Sequence, residues 1–140
     1  MFLLMFALGA CAPKAQHLES VRLDVAGYAV DAEVADSDAE RQIGLMHRDP
    51  LDTDKGMIFV YPDERVRGFW MKNTPSPLSI AFINASGRVV HTAEMTPFDE
   101  TVVPSEHAAM YALEMSRGWF VSHNVTAGAL VTGLPGPSPE

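Results

Sequence analysis

The segment Gly68-Phe-Trp-Met-Lys-Asn-Thr-Pro-Ser-Pro-Leu78 concentrates side chains able to do chemistry. Run as a strand, it sends successive side chains to opposite faces, so Phe69 and Met71 share one side while Trp70, Lys72 and Thr74 share the other. With the first pair in the core, the second face presents an aromatic platform beside an ammonium and a hydroxyl. That set suits a sugar, or a small anion with an apolar part. With Trp70 in the core instead, Lys72 is an ordinary surface cation whose stem covers apolar area.

Other chemistries are poorly served. Met46, Met57, Met71, Met95, Met110 and Met115 could supply thioethers to copper, but none share a tight ligand spacing, and the five histidines show no H-x-H or i, i+4 pair. Methionine at such positions fills gaps in cores, so no metal and no cofactor is expected. Asp49, Asp52, Asp54 and Gly56 do not follow the acidic spacing of a calcium loop and read as a turn-rich connection. Ser122 and His123 are sequence neighbours without a nucleophile elbow, and no phosphate-cradling glycine loop exists. The formal net charge of -8, from 18 acidic against 10 basic residues, argues against a nucleic-acid surface, because phosphate binding needs clustered cations and none appear.

The elements that must position these residues are mostly strands. Val21, Leu23 and Val25 alternate with Arg22 and Asp24, a turn follows at Ala26-Gly27, and Tyr28, Val30, Ala32 and Val34 alternate in their turn, which predicts a hairpin. Ser37-Asp-Ala-Glu40 is a capping box, opening a helix with a stripe of Ala39, Ile43 and Met46 that runs to about His47, before Asp49-Pro50. Further strands are expected over Met57–Tyr61, Arg67–Lys72, Leu78–Ile83, Arg88–Met95 and Met110–Met115, with hairpin chemistry at Asn84-Ala-Ser-Gly87. Ser116 is placed to cap a second short helix carrying Trp119, Phe120 and Val121. A chain of 140 residues with 47% apolar content suffices for one core. The expectation is a compact, strand-rich α+β domain over 18–132, with a closed or partly closed sheet and two short helices, followed by a disordered tail over 133–140.

The N-terminus carries a different signal. Met1-Phe-Leu-Leu-Met-Phe-Ala-Leu is apolar and uncharged, and Gly9-Ala10-Cys11 follows at once. The run is too short to span a bilayer, and small residues before the only cysteine fit a lipoprotein signal peptide over 1–10, lipid on Cys11 and a tether over 11–17. The basic residue with which signal peptides begin is missing from MFLL, which points to a start upstream. A lone, acylated cysteine leaves neither an internal disulfide nor thiol catalysis.

Arg41-Gln-Ile-Gly-Leu-Met46, Arg48, Leu51, Gly56-Met-Ile-Phe59, Phe69-Trp-Met-Lys-Asn-Thr74 and Pro77-Leu78 together resemble the domain-of-unknown-function 192 family. Phe82, Gly87, Pro97, Ala112-Leu-Glu114 and Gly118 continue the likeness, which spans about Arg41 to Val131. The resemblance implies a small single domain, often exported, with no settled activity. It marks Arg48, Trp70, Lys72, Asn73, Thr74 and Glu114 as the polar and aromatic members of the motif. Ser79 stands where the family usually has Asp, and Ala129 follows Gly128 where Asp is common, which weakens a shared hydrolytic mechanism. The expected protein is a lipid-anchored, periplasm-facing bacterial envelope module. It would bind a small polar or anionic ligand, or an envelope protein, around Trp70, Lys72 and Thr74, with Arg48, Asn73 and Glu114 shaping the site and Arg48 pairing with Glu114. The alternative is a small hydrolase or lyase with Glu114 as general base and Lys72 steadying an anion.

Overall fold

The computed structural model describes residues 14–140. The signal peptide expected over 1–10 and the lipid site Cys11 lie outside them. Alternating apolar residues form the predicted hairpin, β1 (Ser20–Val25) and β2 (Tyr28–Ala35), and Ser37 and Glu40 close the predicted capping box on α1 (Asp38–Ile43). There follow β3 (Lys55–Arg65), β4 (Gly68–Phe69), β5 (Leu78–Ile83), β6 (Val89–Met95), β7 (Val103–Pro104), β8 (Ala109–Ser116), α2 (Trp119–Ser122) and β9 (Val131–Thr132).

Seven strands form one sheet in the order β6-β5-β8-β3-β2-β1-β9, while β4 and β7 pair separately. Among the described residues only β2 and β3 are parallel, joined by the crossover that contains α1; every other pair there is antiparallel. The sheet curls until its edges touch at a bridge between Arg88 and Leu130. Val131 N–H donates to Gly87 O at 2.8 Å and Val89 N–H to Ala129 O at 2.9 Å, which stitches one end and leaves a half-barrel rather than a closed barrel. Helices of six and four residues make the protein mostly β, so the α+β expectation is corrected in that respect.

Two apolar clusters follow from strand alternation. On the concave face Leu23, Val30, Ala32, Ile58, Val60, Ala81, Leu113 and Met115 meet under Trp119, Phe120 and Val125. On the convex face Met57, Phe59, Ile80, Phe82 and Ala112 are roofed by Leu45, Phe69 and Met71. Because both faces are covered, β8 is buried from Ala109 to Met115. Gly56 permits this: a β-carbon there would sit 2.4 Å from Met115 Sδ and 2.5 Å from Glu114 O.

Several expectations are corrected. The first helix stops at Ile43 rather than near His47, because Gly44 takes φ 49° and ψ -128°, and the helix buries no residue fully. Gly118, not Ser116, precedes α2, and Ser116 Oγ instead donates to Leu51 O at 3.1 Å. The segment expected as a strand over Arg67–Lys72 is regular only at Gly68–Phe69, since Met71 N–H turns away to Asp99 O. The tail over 133–140, expected to be disordered, is docked. Tyr111 Oη donates to Pro135 O at 2.6 Å, and Ser138 is buried, its Oγ donating to Asp36 O at 2.6 Å. Prolines stiffen this stretch, and the body supplies partners for the polar groups between them.

Phe82 has no exposed surface and packs edge-on against Phe69 with ring centroids 5.7 Å apart. Phe82→Ala should therefore cost about 3–5 kcal/mol in urea unfolding. A loss no larger than that of a surface substitution would contradict the assignment of the convex core.

Candidate functional site

Glu114 is the point of departure. It lies mid-way along β8, opposite Met57 of β3 and Ile80 of β5, so strand register alone sends its side chain among apolar neighbours. It is 4% exposed, and burial by itself pushes its carboxyl up to about 8. An uncompensated carboxylate in such surroundings is costly, so the group keeps its proton at neutral pH.

Glu114 lines a cavity of about 280 Å³. Asp38, Arg41, Gln42 and Ile43 of α1, with the following Gly44-Leu-Met46, form one wall. Phe59 and Tyr61 of β3, Gly68 and Phe69 of β4, then Trp70 and Thr74 complete it. The turn after α1 can close over the strands because Gly44 has no side chain; a β-carbon there would approach Phe59 Cζ to 3.1 Å. Gln16 Nε2 donates to Glu40 O at 2.8 Å and Gly44 O at 3.1 Å, fixing the same helix end from outside.

Arg41 is held tightly although it borders the cavity. Its Nη1 donates to Val60 O at 2.8 Å and Ser138 Oγ at 3.1 Å, and its Nη2 meets Asp38 at 2.7 Å. Tyr61 lies between two guanidinium groups, 3.8 Å from Arg67 and 4.9 Å from Arg41. Burial raises its phenol above the usual range, while Arg67 and Arg41 oppose the rise.

Of the six residues singled out in the sequence, the cavity gathers three: Trp70, Thr74 and Glu114. Phe69 and Met71 face the core as alternation predicts, and Trp70 is 45% exposed at the rim. Lys72 does not line the cavity; its Nζ rests 5.2 Å over the Trp70 ring. Thr74 is buried, and its Oγ1 donates to Lys72 O at 2.9 Å, so its hydroxyl holds a turn. Asn73 takes a positive φ of 53° and its carbonyl accepts from His47 N–H at 2.9 Å, which ties the roof segments together.

Arg48 is the clearest correction. It does not pair with Glu114 but with Glu33, its Nη2 donating to both carboxylate oxygens at 2.6 Å. The pair borders a separate groove with His17, His47, Asp49 and Lys55. Parallel pairing of β2 with β3 sets Glu33 beside Met57, one strand away from Glu114. Ser79 is also structural: buried on β5, its Oγ accepts from Gly118 N–H at 2.9 Å and donates to Glu94 at 2.8 Å. An acceptor at that position holds the turn into α2. Sequence reading missed Phe59, Tyr61, Arg41 and Leu45 as wall residues, although all but Tyr61 fall in motifs of the resemblance.

Two measurements test this electrostatic picture. The folded-state pKa of Glu114 lies above its ordinary 4.5, so the associated stability is complete below that value and falls as pH rises through about 8. The slope should reach about 1.4 kcal/mol per pH unit in urea unfolding between pH 5 and 8, and Glu114→Gln should remove it. A wild-type curve as flat as the variant's would refute a buried, protonated carboxyl. Side-chain exposures of 11% and 15% make Arg48–Glu33 a largely buried pair. Arg48→Met should cost about 3–5 kcal/mol, largely recovered with Glu33→Gln, whereas Lys72→Met on its exposed site should cost less than ~1 kcal/mol. Equal losses for the two cations would overturn the distinction.

Comparison with known proteins agrees with this architecture. A protein of unknown function from Novosphingobium aromaticivorans DSM 12444 superposes with a TM-score of 0.79 and 32% identity, covering 87% of this chain and 93% of that one. A protein from Sinorhizobium meliloti 1021, described as a candidate transcription regulator, gives a TM-score of 0.76 and 29% identity over 85% of this chain and 95% of that one. No curated protein matches. The profile of the uncharacterised family called domain of unknown function 192, described as Uncharacterized ACR, matches residues 21–133, and the chain belongs to that family.

Proposed function

We propose that this protein is a lipid-anchored module of the bacterial envelope whose cavity binds a small molecule with an apolar body and a hydrogen-bonding head. One observation carries the binding reading: Glu114, buried and acted on by burial alone, lines the cavity, and its side chain has no hydrogen-bond or ion-pair partner among the described residues. Buried polar groups are normally paired, and an unpaired one facing a cavity is a place for a ligand's polar atom. Phe59, Phe69 and Trp70 supply the apolar contact. The anchor rests on the apolar run followed by Gly9-Ala10-Cys11. A DNA-binding role, as the description of the Sinorhizobium protein suggests for that protein, is opposed here by the net charge of -8.

Catalysis has one observation in its favour, since a carboxyl with a pKa near 8 in a cleft can act as a general acid or base. Lys72, the expected partner, is not on the cavity wall. Glu114→Gln separates the readings: loss of a turnover that the wild type shows would mark an acid–base catalyst, whereas a binding module has no turnover to lose.

Titration of the full chain with benzamide and benzyl alcohol, followed by amide NMR, should shift signals of Phe59, Tyr61, Phe69, Trp70 and Glu114. Shifts confined to the Arg48–Glu33 groove, or none at all, would overturn the cavity as the site. Cell fractionation tests the anchor, because Cys11→Ser should move the protein out of the membrane fraction; a wholly soluble wild type would refute it.

A further inference from the structure

We propose that the Glu114 cavity recognises an organic ammonium ion, an inference that rests on the small-molecule reading above. The cavity that Glu114 lines has rings on one side: Phe59 and Phe69 stand edge-to-face at 5.0 Å, and Trp70 joins them in the lining. Aromatic faces attract cations through their quadrupole, most strongly where water is excluded. Rings at this site already do so, since Trp70 carries Lys72 at 5.2 Å and Tyr61 carries Arg67 at 3.8 Å.

Among the described residues, the charged and titratable groups around Glu114 leave it without a counter-ion. From α1 come Arg41 and Asp38, which neutralise each other at 2.7 Å, with Arg41 also donating to Val60 O and Ser138 Oγ. From β3 comes Tyr61, its phenol pushed above the ordinary range by burial. The neighbours from β4 and β5, Phe69 and Ile80, do not titrate, and Glu33 on β2 is taken by Arg48. An anion entering the cavity finds Arg41 already engaged, and from the protonated Glu114 it gains one hydrogen bond and no charge. A cation supplies what the site lacks, and by entering it makes the carboxylate form favourable, so binding releases the Glu114 proton.

The test uses tetramethylammonium, whose charge is fixed at every pH, with tert-butanol as the neutral probe of the same shape and acetate as the anion. Binding to the full chain is measured by NMR and calorimetry from pH 6 to 9. Tetramethylammonium affinity should rise about tenfold per pH unit and level off above about 8, where Glu114 is ionised without help. Glu114→Gln, with its fold checked by thermal unfolding, should bind tetramethylammonium at least tenfold more weakly at pH 8 and show no pH dependence. Tert-butanol binding as tightly as tetramethylammonium, or acetate binding better, would overturn the ammonium assignment while leaving the cavity a ligand site. A tetramethylammonium affinity that is flat with pH in the wild type would overturn it as well. Failure of all three probes, together with benzamide and benzyl alcohol, would remove the cavity reading itself.

Discussion

Most of the architecture leans on β8, which pairs with β5 on one side and β3 on the other and is covered on both faces. A strand in that position must be apolar throughout, because its side chains have no route to water and its backbone groups are used in two ladders. Ala109 to Leu113 and Met115 obey that constraint, and Glu114 breaks it. The break is placed where a cavity opens between the end of α1 and the irregular stretch after β4. Apolar packing therefore does two tasks at once. It holds the sheet, and it keeps a carboxyl in its neutral form beside an open space.

The roof itself is an arrangement of short, non-repetitive segments tied by backbone bonds. His47 and Asn73, both at positive φ, join through His47 N–H and Asn73 O, and Ser76 Oγ donates to Arg48 O at 3.1 Å. The Thr74 hydroxyl and the Arg48 carbonyl serve this scaffold, while the Arg48 guanidinium reaches Glu33 through Nη2 and leaves its buried Nε without a partner among the described residues. The scaffold holds Phe69, Met71 and Leu45 over the convex core, which in turn gives Trp70 a fixed position at the rim. The Gly68–Leu78 motif is thus part framework and part site.

Much of this was legible in the residues. Period-two alternation located β1 and β2, and the Ser37–Glu40 box located the start of α1, because each is a local pattern fixed by neighbours in sequence. The two-residue strands β7 and β9 were not legible, since they exist only through pairing with Gly68–Phe69 and with Asp24–Val25. The partner of Arg48 was misread for the same reason: only the parallel register of β2 on β3 brings Glu33 under it. The cavity was half legible. The family likeness marked Glu114 and Trp70, but which residues wall them in depends on where Gly44 lets the chain turn.

Gly56 has a wider reach than its position suggests. It touches no part of the cavity, yet a β-carbon there would lie 2.4 Å from Met115 Sδ and 2.5 Å from Glu114 O, so there is room for a hydrogen atom and nothing larger. Any side chain there must push β8 sideways, and the peptide it meets first is the one that carries Glu114. The depth of the carboxyl beneath the roof is consequently set by the spacing of two backbones, a tolerance of tenths of an ångström held by a residue with no functional group.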